Sequence, residues 1–213
     1  MLVTAQRQET GRGRTGAEWL HAPRAVAASL ALEAPWPIEM IGPLPLVAGL
    51  AMRAALDTLG VDVLLKWPND LMDTRGAKVG GLLSEMADGV LVVGVGVNLF
   101  FPDAPAGITG LFDDDPGEEL AAALATSWAD RLLESIDQGP LWDRNEYRDA
   151  SMLLGESITW EGGSGTAVDI AADGALVVMV GNERVVLRSG AVRLIRRATL
   201  APDDGRGAVG EGQ

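Results

Sequence analysis

Four short stretches of this sequence hold residues whose types and spacing could do chemistry. Lys66-Trp67-Pro68-Asn69-Asp70 puts an ammonium, an indole, an amide and a carboxylate within five positions. An apolar run ends at Lys66, and Pro68 cannot donate to a strand ladder, so the backbone must turn and display those groups. Asn-Asp after proline is also ordinary turn chemistry, and composition alone favours that reading. Lys78-Val79-Gly80-Gly81-Leu82-Leu83 places a point charge beside two glycines. Glycine inside a strand often marks close approach by a ligand, although an edge strand with a bulge has the same composition. Gly94-Val95-Gly96-Val97-Asn98 repeats the pattern in an apolar strand ending on an amide. That amide can meet a phosphate or a magnesium-bound water, or cap the next turn. Between Gln8 and Trp19 lies Gly11-Arg12-Gly13-Arg14-Thr15-Gly16, which offers two planar guanidinium donors suited to phosphate or carboxylate on a segment with no apolar anchor. Such a loop, closing on a ligand and ordering there, would keep water from a reactive intermediate.

The rest of the composition narrows the chemistry. Among 213 residues there are 17 Lys+Arg and 30 Asp+Glu, a formal charge of −13. A net acidic chain is a poor general binder of nucleic acid, which wants a basic surface, though one small basic pocket stays open. There is no cysteine and one histidine, His21. A disulfide scaffold, a thiolate nucleophile, a Cys-ligated zinc and an ordinary Ser/His/Asp triad are all disfavoured. Hydrophobic residues at 47% supply enough material for a sizeable core. No apolar run approaches the ~20 residues of a membrane span, and the N-terminus lacks the order of a secretory signal, so a cytoplasmic protein is expected.

The elements that must position these stretches follow from periodicity. Strands are predicted over 2–6, 26–33, 61–66, 78–84 and 90–97, with Asp73-Thr74-Arg75-Gly76 as a hairpin turn. Residues 43–59 carry apolar residues at helical spacing and end at Gly60. Asp115-Pro116-Gly117-Glu118 reads as a capping box opening a helix to about residue 136, with Leu120, Leu124, Trp128 and Leu132 on one face. From about residue 155, short alternating segments are separated by Gly162-Gly163, Asp173-Gly174 and Gly181-Asn182, the pattern of a small all-β unit. The expected organisation is a catalytic domain over 1–150, a small barrel over 151–197 and a disordered tail over 198–213.

These motifs, in this order, resemble those of the biotin protein ligases. The family's GRGRxGxxW loop is Gly11 to Trp19, its KWPND signature is residues 66–70 unchanged, its K-[LV]-x-G-[IL]-L segment is Lys78 to Leu83, and its G-x-G-[IV]-N segment is Gly94 to Asn98. The resemblance covers about residues 2–196. It implies an α+β fold: a mixed sheet with helices packed on it, as in class II synthetases, plus a small C-terminal SH3-like β-barrel. It implies a ligase, without a DNA-binding domain, that activates biotin with ATP and magnesium to biotinyl-adenylate and passes biotin to a lysine of a carboxyl-carrier domain. No bound prosthetic group is implied, and the metal ligands stay unassigned. The implied catalytic residues are Lys78, Arg12 and Arg14. Gln8, Gly11, Arg12, Lys78, Gly81, Leu83, Gly94 and Gly96 are implied for biotin, and Arg12, Trp19, Lys66, Asn69, Asp70 and Asn98 for the nucleotide. Trp19 has a plain packing role as its alternative. Expected partners are biotin, ATP and the carrier domain, with a weak homodimer and neither nucleic acid nor membrane.

The sequence departs from the family pattern at three places. A strand and a Ser-Thr-Asn helix expected before the GRGR loop do not precede Met1, which predicts an incomplete biotin side. Arg24, Ala25 and Ala27 stand where the family has Gly-Gly and an aromatic ahead of Ser29. Ser189-Gly190-Ala191-Val192 replaces Ser-Gly-Glu-Val. A weakly active or inactive biotin- or adenylate-binding relative is therefore one alternative. A lipoate-attaching enzyme of the same fold is another, against which KWPND argues.

Overall fold

The computed structural model describes residues 1–11, 13, 16 and 19–195. A six-stranded sheet in the order β1-β2-β6-β5-β4-β3 is built from β1 (Leu2–Thr4), β2 (Arg24–Glu33), β3 (Leu64–Lys66), β4 (Asp70–Met72), β5 (Lys78–Ala87) and β6 (Val90–Phe100). All its ladders are antiparallel. Among the described residues, parallel pairing occurs only as isolated bridges, Leu65 with Ser151 and Lys78 with Ile108. The α+β class expected from the sequence holds, but the sheet is antiparallel rather than mixed, because every neighbouring pair of strands in it runs in opposite directions.

The long strands β2 and β6 pair in a register that sets Ala27 opposite Gly96 and Ser29 opposite Gly94. Alternation then sorts β6. Leu91, Val93, Val95, Val97 and Leu99 are buried, while Gly94 and Gly96 fall on the other face. Helices α1 (Leu44–Asp57) and α2 (Glu118–Asp137) cover the apolar side, packing on β5, β2 and each other. Along α2, Leu124, Trp128, Leu132 and Ile136 form its buried stripe, and the Trp128 indole N–H donates to the Ala48 carbonyl at 3.1 Å.

Three local expectations are corrected. Helix α2 begins at Glu118 on a Gly117 N-cap without side-chain capping; Asp115 instead accepts from the Gly117 N–H at 2.9 Å and pairs with Arg24. That ion pair outcompetes the capping box. The run 61–66 shortens to β3 because the chain enters the sheet only at Leu64, and the carboxylate of KWPND opens the unforeseen strand β4, with Lys66 opposite Asp70 across a tight hairpin. A further helix, α3 (Arg144–Ala150), was not anticipated; the Asp143 carboxylate caps it by accepting from the N–H groups of Asn145 and Glu146.

The alternating segments after residue 155 become β7 (Ser157–Trp160), β8 (Gly163–Ile170), β9 (Leu176–Val180), β10 (Glu183–Leu187) and β11 (Arg193–Leu194). They form one antiparallel sheet in the order β10-β9-β8-β7-β11, with β10 and β11 at its two edges. Closure into an SH3-like barrel stays an expectation. The second sheet is tied to the first unit through Arg144, which donates to the Ile170 carbonyl at 2.7 Å, and Arg148, which pairs with Asp169 at 2.7 Å. The tail expected over 198–213 lies outside the described residues. Among the described residues no helix is long and apolar enough to cross a membrane.

Candidate active site

The uncovered face of the six-stranded sheet forms the floor of a cavity of about 680 Å³. Gly81, Leu83, Gly94 and Gly96 contribute its base, Lys66, Asn69, Asp70 and Lys78 one wall, and Gln8 and Trp19 its rim. Ser189, Ala191 and Val192, beyond β10, line it from the second sheet. The four separate sequence stretches thus meet at one place. Two strand registers bring this about: Asp70 and Gly96 are both opposite Gly81 on β5, and Gly94 is opposite Leu83.

The wall is organised by Asp70. One carboxylate oxygen accepts from Lys78 Nζ at 2.5 Å and the other from Lys66 Nζ at 3.4 Å. All three side chains are partly buried, with 33%, 19% and 22% exposure for Lys78, Asp70 and Lys66. Two ammonium groups against one carboxylate leave a net positive charge in a half-sheltered cavity, where Coulomb interactions exceed their value in open water. Asn69 locks the same turn to β5: its side-chain amide donates to the Leu82 carbonyl at 2.7 Å, and the Leu82 N–H donates back to the Asn69 carbonyl at 2.9 Å.

Trp19 lies on the glycine floor. A Cβ placed on Gly96 would come within 2.7 Å of its ring, and one on Gly81 within 3.5 Å. Lys78 Nζ sits 5.8 Å from the ring centroid, within cation–π range. The Trp19 N–H donates to the Gly11 carbonyl at 3.0 Å, so the two ends of the glycine-arginine loop are joined at its neck. Arg12 and Arg14 themselves lie outside the described residues.

Asn98 is placed differently from the others. It lies within β6, not at its end, and is absent from the described cavity lining. Its amide donates to the Thr109 carbonyl at 3.3 Å, and its buried Oδ1 has no hydrogen-bond partner among the described residues. Gly11 sits at the loop neck, outside that lining. Thr10, Ala28 and Trp67 also line the cavity, as do Ser29 and residues 189–192, none of them among the site residues expected from the sequence. The small-residue alternation Ala25, Ala27, Ser29 in β2 was the available signal for that part of the floor. Arg24, read as a departure, has found partners: it makes a two-pronged contact with Asp115 at 2.8 and 3.0 Å and approaches Glu118 at 3.3 Å. The hydrogen bond to Asp115 and that carboxylate's charge hold the guanidinium above its ordinary pKa, against a smaller opposing effect of desolvation.

Among the described residues no group of three or more His, Cys, Asp or Glu gathers into a metal-holding cluster. Asp70, the carboxylate of the cavity wall, is already committed to two lysines.

The class that this fold and site define is the biotin/lipoate A/B protein ligase family, whose model matches residues 1–100. A biotin–[acetyl-CoA-carboxylase] ligase of Mycobacterium tuberculosis is 33% identical over 92% of this chain and 79% of its own length. The enzyme of the same name from Paracoccus denitrificans is 32% identical over 73% of this chain and 72% of its own. Among solved structures, the biotin protein ligase of Aquifex aeolicus in complex with biotin and ATP superposes with a TM-score of 0.76 at 26% identity, covering 92% of this chain and 89% of that one. The chain belongs to the biotin protein ligases.

Proposed function

We propose that this cavity joins biotin to AMP and then hands the biotinyl group to a lysine of a carboxyl-carrier domain of the acetyl-CoA-carboxylase type. The observation that carries the reading is the convergence of Lys66, Asp70 and Lys78 over the floor of Gly81, Gly94 and Gly96, beneath the Trp19 ring.

In the first step a biotin carboxylate oxygen forms a bond to the α-phosphorus of ATP. The phosphorus–oxygen bond to the β-phosphate breaks, and pyrophosphate leaves with the electron pair. Carboxylate and triphosphate repel each other, and charge concentrates further in the transition state, so preorganised cations contribute where that charge appears. Lys78 supplies one such cation beside backbone that two glycines leave open. Arg12 and Arg14 are assigned to the same task, with magnesium arriving on the triphosphate. Asp70 holds Lys78 and Lys66 in place without neutralising both. Gln8, Gly81, Leu83, Gly94 and Gly96 are assigned to biotin, and Trp19, Lys66, Asn69 and Asp70 to the nucleotide; Gly11 and Asn98, which lie outside the cavity lining, are not.

In the second step the neutral amine of the carrier lysine attacks the acyl carbon. AMP leaves with its oxygen, and the nitrogen gives up a proton. Lys78 stays beside the bridging oxygen in both steps. A cytoplasmic location, a weak homodimer and no nucleic-acid partner complete the proposal. Labelled biotin, ATP and an acceptor carrier domain test it: label appears on the carrier lysine only when ATP is present. A chain that retains adenylate but never labels the carrier is a binding relative instead, and one that labels only with an octanoyl or lipoyl donor is a lipoate enzyme.

A further inference from the structure

The KWPND turn has a contact that the chemistry above does not use. The Trp67 side chain is buried, and its indole N–H donates to the carbonyl of Gly174 at 2.9 Å, across 107 positions of sequence. Gly174 belongs to the turn between β8 and β9. That turn is closed by the Gly174 N–H donating to Ala171 at 3.0 Å and the Ala171 N–H donating to Ala175 at 2.8 Å. Asp173 stiffens it by accepting from the Ala175 N–H at 3.2 Å and pairing with Arg188.

The turn is also seated firmly against the first unit. Gly174 has φ +80° and lies so near Pro43, at the start of α1, that a Cβ would meet the Pro43 Cα at 3.1 Å. A Cβ on Gly42 would meet the Asp173 carbonyl at 2.8 Å. Trp67 therefore reaches a backbone acceptor that is fixed on two sides. On the other side of the indole, one peptide away, Lys66 forms the ion pair with Asp70 that also captures Lys78.

We infer that Trp67 is a positioning residue, through which the β8–β9 turn of the second sheet sets the Lys66–Asp70 turn for adenylate formation. This rests on the ligase reading above. Without the Gly174 acceptor a buried indole N–H loses its partner, and the hairpin carrying Lys66, Asn69 and Asp70 loses a long-range polar tie to the second sheet. The lysines stay present but are held less well in register with the cavity floor, which lowers the rate of the step that needs them and leaves biotin recognition on Gly81, Gly94 and Gly96 in place. Trp67 borders the cavity, but its side chain is only 2% exposed, so the indole acts on the reaction through its neighbours in the turn.

The test is a double-mutant cycle on Trp67→Phe and Gly174→Ala, read by biotin-dependent ATP–pyrophosphate exchange alongside thermal melting. Trp67→Phe removes the N–H donor and keeps an aromatic ring. Gly174→Ala displaces the acceptor by crowding Pro43 at a φ that suits glycine. Each single variant is expected to lower kcat for exchange by about tenfold, with KM for biotin near the wild-type value. The double variant is expected to be no worse than the poorer single, since both cut one link. Wild-type exchange in Trp67→Phe, or single effects that multiply in the double, would overturn the inference. So would a rise in KM for biotin with kcat unchanged. Should Trp67→Phe fail to fold, Gly174→Ala read alone decides the matter by the same split of kcat from KM. Failure of the ligase reading is distinguishable, because the wild-type chain would then show no biotin-dependent exchange at all.

Discussion

The two faces of the six-stranded sheet are built from the same strands and do opposite things. On the helix face, β6 presents Leu91, Val93, Val95, Val97 and Leu99, all buried. On the cavity face, the residues between them include Gly94 and Gly96, and β2 offers Ala27 and Ser29 opposite those two. A period of two residues thus separates a face filled with side chains to hold the fold from a face kept nearly bare to receive a ligand. Substitutions on the first should act on stability, and substitutions on the second on chemistry.

The largest effect is expected at the charged edge of the bare face. Lys78→Ala should lower adenylate formation by about 100- to 1,000-fold, the usual consequence of deleting one preorganised group where negative charge develops. Its melting temperature should stay near wild type, and pyrophosphate release at the wild-type rate would remove Lys78 from the mechanism. On the filled face, Leu99→Ala should cost about 2–5 kcal/mol in a denaturant titration, since Leu99 is fully buried and its loss leaves a cavity. The rate per folded molecule should be unchanged.

Gly96→Ala sharpens the comparison. Its new methyl would meet the Trp19 ring at 2.7 Å, so the ring must shift. Overpacking of about 1–3 kcal/mol falls on the loop neck, not on the core. The expected result is binding of ATP weakened by about tenfold with little change in melting. Gly81→Ala, whose methyl would make an ordinary 3.5 Å contact with the same ring, should change binding by about twofold or less. Equal effects at the two glycines would mean that Trp19 does not rest on this floor in solution.

The smallest effect concerns acid. Burial works against ionisation of Asp169, but hydrogen bonds from Arg148 and the Ile170 N–H, with the charges of Arg148 and Arg144, hold its carboxyl below the ordinary 3.8. A depressed folded value means that the stabilisation is complete above about pH 3.8 and disappears as pH falls through the folded value. Melting should therefore drop as pH falls below about 3.8, and the drop should be smaller in Asp169→Asn, by differential scanning fluorimetry.

The sequence made the charged wall and the glycine pattern legible because each is local: a lysine beside glycines, and a proline-forced turn that carries its own carboxylate. The helix and strand positions were legible for the same reason, through periodicity. The contacts that complete the site were not. Trp19 meets Gly96 across 77 positions, and Trp67 meets Gly174 across 107. Neither pairing leaves a mark in spacing or composition. Arg24 shows the converse hazard: as a single letter it looked like a loss, whereas the folded chain sets it against Asp115 and Glu118, the two acids expected to close a capping box. Strand β4 was missed because three residues are too few to show alternation.

The proposed function stands on the bare face making a mixed anhydride of biotin and AMP. It is tested most directly by incubating the purified chain with biotin, ATP and magnesium, removing free ligand, and identifying by mass spectrometry what the protein retains. One biotinyl-adenylate per wild-type chain is expected, none for Lys78→Ala, and release of AMP when a carrier domain is added. ATP retained unreacted in the presence of biotin, or AMP formed at the same rate without biotin, would contradict it.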